Sequence, residues 1–235
     1  MARSSTPQVR KPPRGQAFTG RLLAWYARAA RDLPWRRTRD PYRVLVSEVM
    51  LQQTQVSRVS DYYPRFLERF PDLESLARAR PRAVREAWDG LGYYARARNL
   101  HELAKSVARR HDATLPSDPA ELIKLPGVGP YTAGAVASFA YEKPVPAVDT
   151  NAARVIRRVF FGNRDTGNGK RATEDVRRAT RRLAAALVPK DGKRAWKFNQ
   201  AIMELGALVC VARKPKCPEC PVRTDCRTGR RLVRE

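Results

Sequence analysis

The sequence contains no long apolar segment, and its few cysteines are confined to one region. No stretch approaches the ~20 consecutive apolar residues of a membrane-spanning helix, so we predict no membrane partner. The first 16 residues are basic but have no apolar core, which argues against a secretory signal. All four cysteines lie within residues 210–226, so a disulfide framework distributed through the chain is not expected.

Acidic residues are scarce relative to basic residues. The chain has 23 Asp and Glu against 47 Lys and Arg, which gives a formal net charge of +24. This charge exceeds what solubility requires and indicates a polyanionic partner, most simply nucleic acid. Residues 1–16 are rich in Pro, Ser and Arg, so we predict a disordered basic arm there. A short basic tail is predicted at 229–235.

Alternation of apolar and polar residues over the length of a strand is also missing. Apolar residues instead recur at helical spacing, as at Phe18, Leu22 and Tyr26, which predicts an all-α protein of many short helices. Polar residues 162–170 predict a loop, and the arginine-rich helix predicted at 173–188 is expected to have a solvated basic face. The prolines predicted to mark helix starts and ends are Pro41, Pro64, Pro71, Pro81, Pro116 and Pro119.

A turn containing Pro and Gly, residues 125–129, precedes a predicted helix rich in small residues at 131–141. The free N–H groups at the start of such a helix suit a phosphate. Thr132 is a candidate N-cap for this helix. Asp149 follows, either as an ordinary N-cap of the next helix or as a functional carboxylate. The residues predicted to form the phosphate site are Leu125, Gly127, Val128, Gly129 and Thr132.

The cysteines have the spacing C-x6-C-x2-C-x5-C. Two neighbouring disulfides, a zinc ion held by four thiolates and an iron–sulfur cluster are all compatible with four clustered cysteines. The spacing differs from that of ferredoxins, which argues against an electron carrier. Arg213, Lys214 and Lys216 lie between the first two cysteines, where a metal site would present them to a phosphate backbone. The candidate ligands are Cys210, Cys217, Cys220 and Cys226.

Glu48 interrupts an apolar run that includes Val44 and Leu51. A lone glutamate on an amphipathic helix is usually a surface residue. If it is buried, desolvation would raise its pKa and suit a general acid near neutral pH. We predict that the helix continues into an amide-rich patch suited to hydrogen bonding with base edges. This patch consists of Gln52, Gln53, Thr54 and Gln55.

Three stretches together resemble the adenine DNA glycosylases of the helix-hairpin-helix DNA glycosylase superfamily. They are LPW at 33–35, SEVMLQQTQV at 47–56 and GLGYYARARNL at 90–100. The Gly/Pro turn, the following aspartate and the cysteine spacing are similar to those of the same superfamily, and the resemblance covers about residues 18–228. It implies an endonuclease III-like fold of two helical lobes and a structural [4Fe–4S] cluster held by the four cysteines.

The resemblance also implies that the target adenine is moved out of the duplex before its glycosidic bond is cut. Glu48 matches the general acid that protonates the adenine ring. Asp149 matches the carboxylate that stabilises the oxocarbenium-like sugar and helps deliver the nucleophile, and Asn151 matches a residue that supports the pair. Two carboxylates with divided roles are what glycosidic cleavage requires. The wedge that fills the vacated stack is matched by Gln52, Gln53 and Tyr93.

Tyr131 stands where the lyase branch of the superfamily carries a Schiff-base lysine. A phenol cannot form a Schiff base, so we predict a monofunctional glycosylase with little or no lyase activity. Thr150 replaces the glycine usual in adenine glycosylases, which leaves a thymine or uracil glycosylase acting on T:G or U:G mismatches as an alternative. Few residues follow Cys226, so we expect the chain to lack the domain that recognises 8-oxoguanine in bacterial adenine glycosylases.

The predicted organisation has two domains. Residues 33–143 are expected to form a six-helix barrel with the hairpin, and residues 17–32 and 144–228 the cluster domain. DNA with a mismatched or damaged base pair is the expected partner, bound between the two domains where Glu48 and Asp149 converge. A non-catalytic DNA-binding module is the alternative from another class, and the presence of both carboxylates argues against it. We expect a monomer located in the cytoplasm with the nucleoid.

Overall fold

The structure is a computed structural model that describes residues 13–110, 112–162 and 170–230. In these residues the regular secondary structure is entirely helical, which confirms the predicted all-α class. Two short 3-10 turns, Pro34–Arg36 and Arg223–Asp225, and one π-helical turn, Arg157–Phe161, accompany the α-helices. The α-helices are α1 (Pro13–Ala29), α2 (Pro41–Met50), α3 (Val56–Arg69), α4 (Leu73–Arg78), α5 (Pro81–Ala87), α6 (Ala95–Arg110), α7 (Pro119–Leu122), α8 (Pro130–Phe139), α9 (Thr150–Ile156), α10 (Lys170–Leu187) and α11 (Gly192–Leu208).

The chain divides into two compact units, one of residues 31–143 and one of residues 1–30 together with 144–235. In the first unit, α2 packs against α3, α6 and α8, and α4 packs along α6. Helix starts follow from local sequence: Asp40 caps α2 by accepting from the backbone N–H of Arg43 at 2.8 Å, with Pro41 at the first helical position. The side chains at its centre include Leu45, Met50, Phe66, Trp88, Leu100 and Leu122.

Helix α8 lies at the centre of the first unit. Every residue from Thr132 to Phe139 is buried, and most of them are Ala, Gly, Ser or Thr. Small side chains allow neighbouring helices to approach closely, so α8 can be enclosed by α2 and α7. This burial fixes the position of the α8 N-terminus and of the turn that precedes it.

The second unit contains α1, α9, α10 and α11. Its core is formed where α11 packs against both α1 and α9. The Phe18 ring meets the rings of Phe160 and Phe198 edge to face, with centroids 5.3 and 6.4 Å apart. The C-terminal cysteine segment packs against this core through Val222 and Cys226.

Two predictions about helix boundaries are wrong. Pro64 lies inside α3 instead of at its end. The helix tolerates this because Pro64 is exposed, while its neighbours Tyr63 and Phe66 are buried and hold the helix in place. Helix α1 begins at Pro13, so residues 13–16 of the predicted disordered arm are helical.

Some sequence predictions concern segments outside the described residues. These are the arm over residues 1–12, the loop over 163–169 and the tail over 231–235. Within the described residues, none of the helices has the length and apolar character that crossing a membrane requires.

Candidate active site

Glu48 is a buried carboxyl group on the last turn of α2. Only 4 % of it is exposed, and its neighbours in α2 from Val44 to Met50 are also buried. The Tyr131 hydroxyl donates a hydrogen bond to its Oε2 at 2.6 Å. Tyr131 reaches Glu48 because it lies in the first turn of α8, which packs against α2. Two of the predicted catalytic residues therefore form one hydrogen-bonded pair.

The predicted hairpin is present between α7 and α8. The backbone N–H of Val128 donates to the Leu125 carbonyl at 3.2 Å, and both side chains are buried. Gly127 has φ = +74°, and a Cβ there would lie 2.7 Å from the Cβ of Asn99. Both its conformation and its contact with α6 therefore require glycine. Gly129 precedes Pro130 as the N-cap of α8, and it has no side chain to occupy the helix N-terminus.

Thr132 is not the N-cap of α8, contrary to prediction. Gly129 takes that role because Pro130 is favoured at the first helical position. Thr132 instead lies inside the helix, 2 % exposed, and its Oγ1 is 3.5 Å from the Nε2 of Gln52. The contact links the hairpin helix to the amide-rich segment after α2.

The amide-rich segment is a turn, whereas a continuation of the helix was predicted. Helix α2 ends at Met50, and Gln53 has φ = +55°. At the end of α2 the Val49 and Met50 carbonyls, which a longer helix would pair with backbone N–H groups, accept hydrogen bonds from the Arg96 guanidinium. Gln53 is exposed as a result. Sequence reasoning did not single out Arg96, although it lies within the GLGYYARARNL stretch.

Tyr93 lies on a second turn, between α5 and α6. Its side chain is 61 % exposed and its φ is +49°. Few residues other than glycine adopt a left-handed backbone, so this conformation and the exposure of the ring make Tyr93 a candidate for contact with a partner.

Asp149 caps α9 in the second unit. Its Oδ1 accepts from the Ala152 N–H at 2.6 Å and its Oδ2 accepts from the Asn151 Nδ2 at 2.9 Å. Burial raises the pKa of Asp149 above its ordinary value, while these hydrogen bonds and the Arg154 charge act to lower it. The two interpretations of Asp149 are compatible, because an N-cap can also be a functional carboxylate.

Arg154 connects Asp149 to the cysteine segment, and sequence reasoning missed it. Its Nη2 donates to the Oδ1 of Asn151 at 2.8 Å and to the Gly206 carbonyl at 2.8 Å. Its Nε donates to the Cys210 carbonyl at 2.9 Å. Asn151, Arg154 and the first cysteine are thus joined to Asp149 by consecutive hydrogen bonds. A basic residue within a helix gives no sign in the sequence of such a role.

The four cysteines line one pocket that is partly open to solvent. Its other walls include Val155, Leu205, Val209 and Val222. Within the described part of the chain, no three His, Cys, Asp or Glu side chains are arranged to share a single metal ion. The four thiols nevertheless line the same pocket, and four cysteine thiolates are the usual ligand set of an iron–sulfur cluster.

The cysteine segment is held by further hydrogen bonds. Arg158 donates to the Val211 and Ala212 carbonyls at 2.7 and 2.8 Å, and its Nη1 is 3.5 Å from the Cys210 Sγ. Burial raises the pKa of the Cys220 thiol to about 11, so metal binding must displace a proton there. The cations between the first two cysteines are all exposed; they are Arg213, Lys214 and Lys216.

Comparisons with known proteins agree with this arrangement. Residues 46–185 match the HhH-GPD superfamily of base excision DNA repair proteins. Residues 210–226 match the iron–sulfur binding domain of endonuclease III, which confirms the predicted [4Fe–4S] cofactor. That match begins and ends at two of the four predicted ligands.

Curated relatives are similar over most of this chain. An adenine DNA glycosylase from Mycolicibacterium smegmatis is 46% identical over 88% of this chain and 67% of its own length. One from Mycobacterium tuberculosis is 47% identical over 86% of this chain and 64% of its own length. A Homo sapiens adenine DNA glycosylase is 45% identical over 93% of this chain and 40% of its own length. The chain thus spans about two thirds of the bacterial relatives and two fifths of the human one.

Solved structures share the fold. A thermostable thymine-DNA glycosylase aligns with a TM-score of 0.82 and 30% identity, covering 93% of this chain and 97% of the other. Endonuclease III in a non-covalent DNA complex aligns with a TM-score of 0.75 and 26% identity, covering 94% and 97%. The endonuclease III-like fold predicted from the sequence is confirmed. From the match over 46–185 and the identity to curated relatives, the chain belongs to the HhH-GPD superfamily of base excision DNA repair proteins.

Proposed function

We propose that this chain is a monofunctional DNA glycosylase that hydrolyses the N-glycosidic bond of adenine mispaired with guanine or 8-oxoguanine. The observation that carries the proposal is the buried Glu48 carboxyl group, held at 2.6 Å by the Tyr131 hydroxyl beside the hairpin. Curated relatives 44–47% identical to this chain are adenine DNA glycosylases, which supports adenine as the base.

Glu48 is assigned as the general acid. An adenine leaves a sugar readily only when its ring is protonated, so that it departs as a neutral base. A carboxyl group enclosed by α2 and α8 is shielded from water, which strengthens its interaction with a base that enters the site. The phenol of Tyr131 fixes the orientation of the carboxyl group, because one oxygen is already engaged.

Asp149 is assigned to the developing positive charge on the sugar. An oxocarbenium-like transition state needs an anion nearby, and glycosidases commonly divide acid and anion roles between two carboxyl groups. The Asn151 amide and the Ala152 N–H hold both Asp149 oxygens. Asn151 is in turn fixed by Arg154, so the carboxylate is oriented before substrate binds.

Tyr131 supports hydrolysis without strand cleavage. No phenol forms a Schiff base with the sugar, and here the phenol is engaged with Glu48. The nucleophile is therefore water, and the product is an abasic site in an intact strand.

The DNA contacts are assigned to four features. Gln52, Gln53 and Thr54 lie on one turn and Tyr93 projects from another, which suits insertion into the stack after the adenine leaves it. The 125–129 hairpin offers backbone N–H groups to a phosphate. The exposed Arg213, Lys214 and Lys216 add affinity that is independent of sequence.

We assign Cys210, Cys217, Cys220 and Cys226 as the ligands of the [4Fe–4S] cluster, which is supported by their lining one pocket. When bound, the cluster supplies rigidity to the loop that carries the three cations. Because its proposed substrate is chromosomal DNA, we expect the enzyme to associate with the nucleoid, and a monomer remains our prediction.

Base release from a panel of duplexes tests the proposal. Purified protein is incubated with duplexes carrying A opposite G, A opposite 8-oxoguanine, T opposite G and U opposite G, and abasic sites are cut with alkali. We expect cleavage of both adenine duplexes after alkali and little without it. Release of thymine or uracil but not adenine would make the chain a T:G or U:G glycosylase. Strand cleavage without alkali would contradict the assignment of Tyr131.

Glu48→Gln tests the general acid within the same panel. The amide keeps the size of the side chain but cannot donate the proton, so adenine release should fall by at least ~100-fold. Binding to the A:G duplex should change by less than about threefold, measured by fluorescence anisotropy. The matched control is Glu102→Gln on α6, an exposed glutamate paired with Lys105. Unchanged turnover in Glu48→Gln would remove Glu48 from the mechanism.

A further inference from the structure

Arg96 is a buried cation in the first turn of α6, next to the two turns that carry the proposed wedge. Only 9 % of the residue is exposed. Its guanidinium donates hydrogen bonds to six oxygen atoms, none of them from a carboxylate. The acceptors are the carbonyls of Val49, Met50, Gln52, Leu91 and Gly92 and the Oγ1 of Thr54.

The first group of contacts closes the helix that carries Glu48. Arg96 Nη1 lies 3.0 Å from the Val49 carbonyl and 2.8 Å from the Met50 carbonyl. The last carbonyls of a helix lack partners within it, and a cation is favoured there by the helix dipole. Arg96 therefore caps the C-terminus of α2, two residues beyond Glu48.

The second group of contacts shapes the turn after α2. Arg96 donates to the Gln52 carbonyl, and its Nη2 lies 3.0 Å from the Thr54 Oγ1. Gln53, between these two residues, adopts a left-handed backbone. Such a conformation is disfavoured for a residue with a side chain and persists only where surrounding contacts impose it.

The third group of contacts holds the turn of Tyr93. Arg96 Nη2 lies 3.2 Å from the Leu91 carbonyl and 3.1 Å from the Gly92 carbonyl. The guanidinium carbon is 5.5 Å from the ring centroids of both Trp88 and Tyr93, a distance at which a cation is attracted to an aromatic face. Tyr93 thus stays exposed while the buried Arg96 supports it.

These contacts use the geometry of arginine in particular. The two Nη groups hold four N–H donors in one planar fork, and these donors are shared among the six acceptors, while the Nε–H has no partner among the described residues. The guanidinium also stacks on aromatic rings, whereas a lysine ammonium has three donors at one point. The cation is buried at a cost, since burial lowers the pKa of Arg96. The presence of a buried charge despite this cost is consistent with a structural role that a smaller or uncharged side chain cannot fill.

We propose that Arg96 is a positioning residue that fixes the 51–54 turn and the Tyr93 turn in one arrangement before DNA binds. The inference rests on the proposed function, in which these turns form the wedge. With both turns already ordered, extrusion of the adenine does not require them to be ordered at the same moment. Arg96 touches neither the base nor the sugar and acts through Gln53 and Tyr93.

The test separates extrusion of the base from its release. A duplex carrying 2-aminopurine at the target position opposite G reports extrusion, because the fluorescence of this base rises when it is unstacked. Single-turnover release of adenine from the A:G duplex is measured in parallel. Arg96→Met should lower both the fluorescence rise and the release rate, the latter by about 100-fold, as expected for a misplaced site. Its affinity for a fully paired duplex should stay within about threefold of wild type.

Three variants make the result specific. Arg98→Met removes an exposed cation from the same helix and should behave as wild type, which controls for charge. Arg96→Lys should recover part of the loss, because it keeps the charge but not the fork. Thr54→Val removes one of the six acceptors with little change of shape and should lower release by about threefold to tenfold, a milder variant in case Arg96→Met does not fold.

The outcomes distinguish the two proposals. If wild-type protein releases no adenine from any duplex, the proposed function fails. If wild type is active and both Arg96→Met and Thr54→Val extrude 2-aminopurine as Arg98→Met does, the positioning role fails. The positioning role would also fail if Arg96→Met lost paired-duplex binding and adenine release by the same factor and Arg96→Lys released adenine no faster than Arg96→Met.

Discussion

The buried charge of Asp149 lowers the free energy of unfolding, although the proposed reaction requires that charge. Burial disfavours its charged form, and the N–H of Ala152 and the amide of Asn151 only partly offset this cost. The native state therefore binds a proton at Asp149 more tightly than the unfolded state does. The destabilising effect is complete above the raised pKa and disappears as the pH falls toward the ordinary value of 3.8.

Asp149→Asn should stop base release and reveal this cost. An asparagine still caps a helix but carries no charge, so we expect at least ~100-fold slower adenine release. At pH 7 the variant should gain free energy of unfolding relative to wild type, and the gain should shrink as the pH falls through the raised pKa of Asp149 toward 3.8. Chemical denaturation at several pH values measures the difference.

The matched control is Asp191→Asn, which changes the exposed N-cap of α11. It should leave adenine release unchanged. A difference between Asp149→Asn and wild type that widens toward acid pH would contradict a raised pKa at Asp149.

At the scale of elements, the contact between α9 and α11 positions Asn151. A Cβ at Gly206 would lie 2.7 Å from the Asn151 Cβ and 3.1 Å from its backbone Cα. The Gly206 carbonyl also accepts a hydrogen bond from Arg154 at 2.8 Å. The close approach of the two helices is therefore what brings Asn151 and Arg154 into register with Asp149.

Gly206→Ala should separate these helices. Overpacking typically costs about 1–3 kcal/mol of unfolding free energy, and displacement of Asn151 should slow adenine release by about tenfold or more. Thermal unfolding and single-turnover release measure the two effects.

The matched control is Gly20→Ala in the interior of α1, where an added Cβ meets nothing within 4 Å. It should stabilise the protein by about 0.5–1 kcal/mol through helix propensity alone and leave release unchanged. If Gly206→Ala and Gly20→Ala had the same thermal stability and adenine release rate, the close approach of α9 and α11 would not be what positions Asn151.

The end of α2 and the N-cap of α8 could not be predicted from the local sequence. The apolar spacing around Glu48 predicted α2, but it could not show that the helix ends at Met50. At that end the Met50 carbonyl accepts a hydrogen bond from Arg96, which is 46 residues away along the chain. Thr132 was likewise predicted as the N-cap of α8 from its residue type. It lies inside the helix because Pro130 is favoured at the first helical position, which makes Gly129 the N-cap.

At the scale of the whole molecule, the net charge of +24 predicts DNA binding that weakens steeply with salt. The exposed cations between the first two cysteines should account for part of this dependence. Replacing Arg213, Lys214 and Lys216 with alanine should lower the slope of log affinity against log salt by about 0.9 for each phosphate that the loop no longer neutralises. Anisotropy titrations between about 50 and 200 mM salt measure the slope.

The control for charge replaces three exposed arginines of α10 with alanine. These are Arg177, Arg181 and Arg182, predicted from the sequence to form a solvated face. The control should leave the slope nearly unchanged although it removes the same charge. Equal slopes for both triple variants would mean that total charge, and not the cysteine loop, governs affinity.

The sequence by itself determined the features that depend on residue type and short spacing. The absence of strand patterns fixed the all-α class, and the cysteine spacing with the LPW, SEVMLQQTQV and GLGYYARARNL stretches identified the superfamily and its cluster, as the comparisons confirm. These features are local along the chain, so they can be recognised without coordinates.

Only the tertiary structure decided which side chains meet. The Tyr131–Glu48 hydrogen bond joins residues 83 positions apart, and Arg154 reaches Cys210 across 56 positions. Partners of this kind are chosen by helix packing and by the need of buried polar groups for hydrogen bonds, and neither leaves a periodic signal in the sequence. Arg96 is the clearest case, because its residue type suggests a surface cation and its burial between two turns gives it a different role.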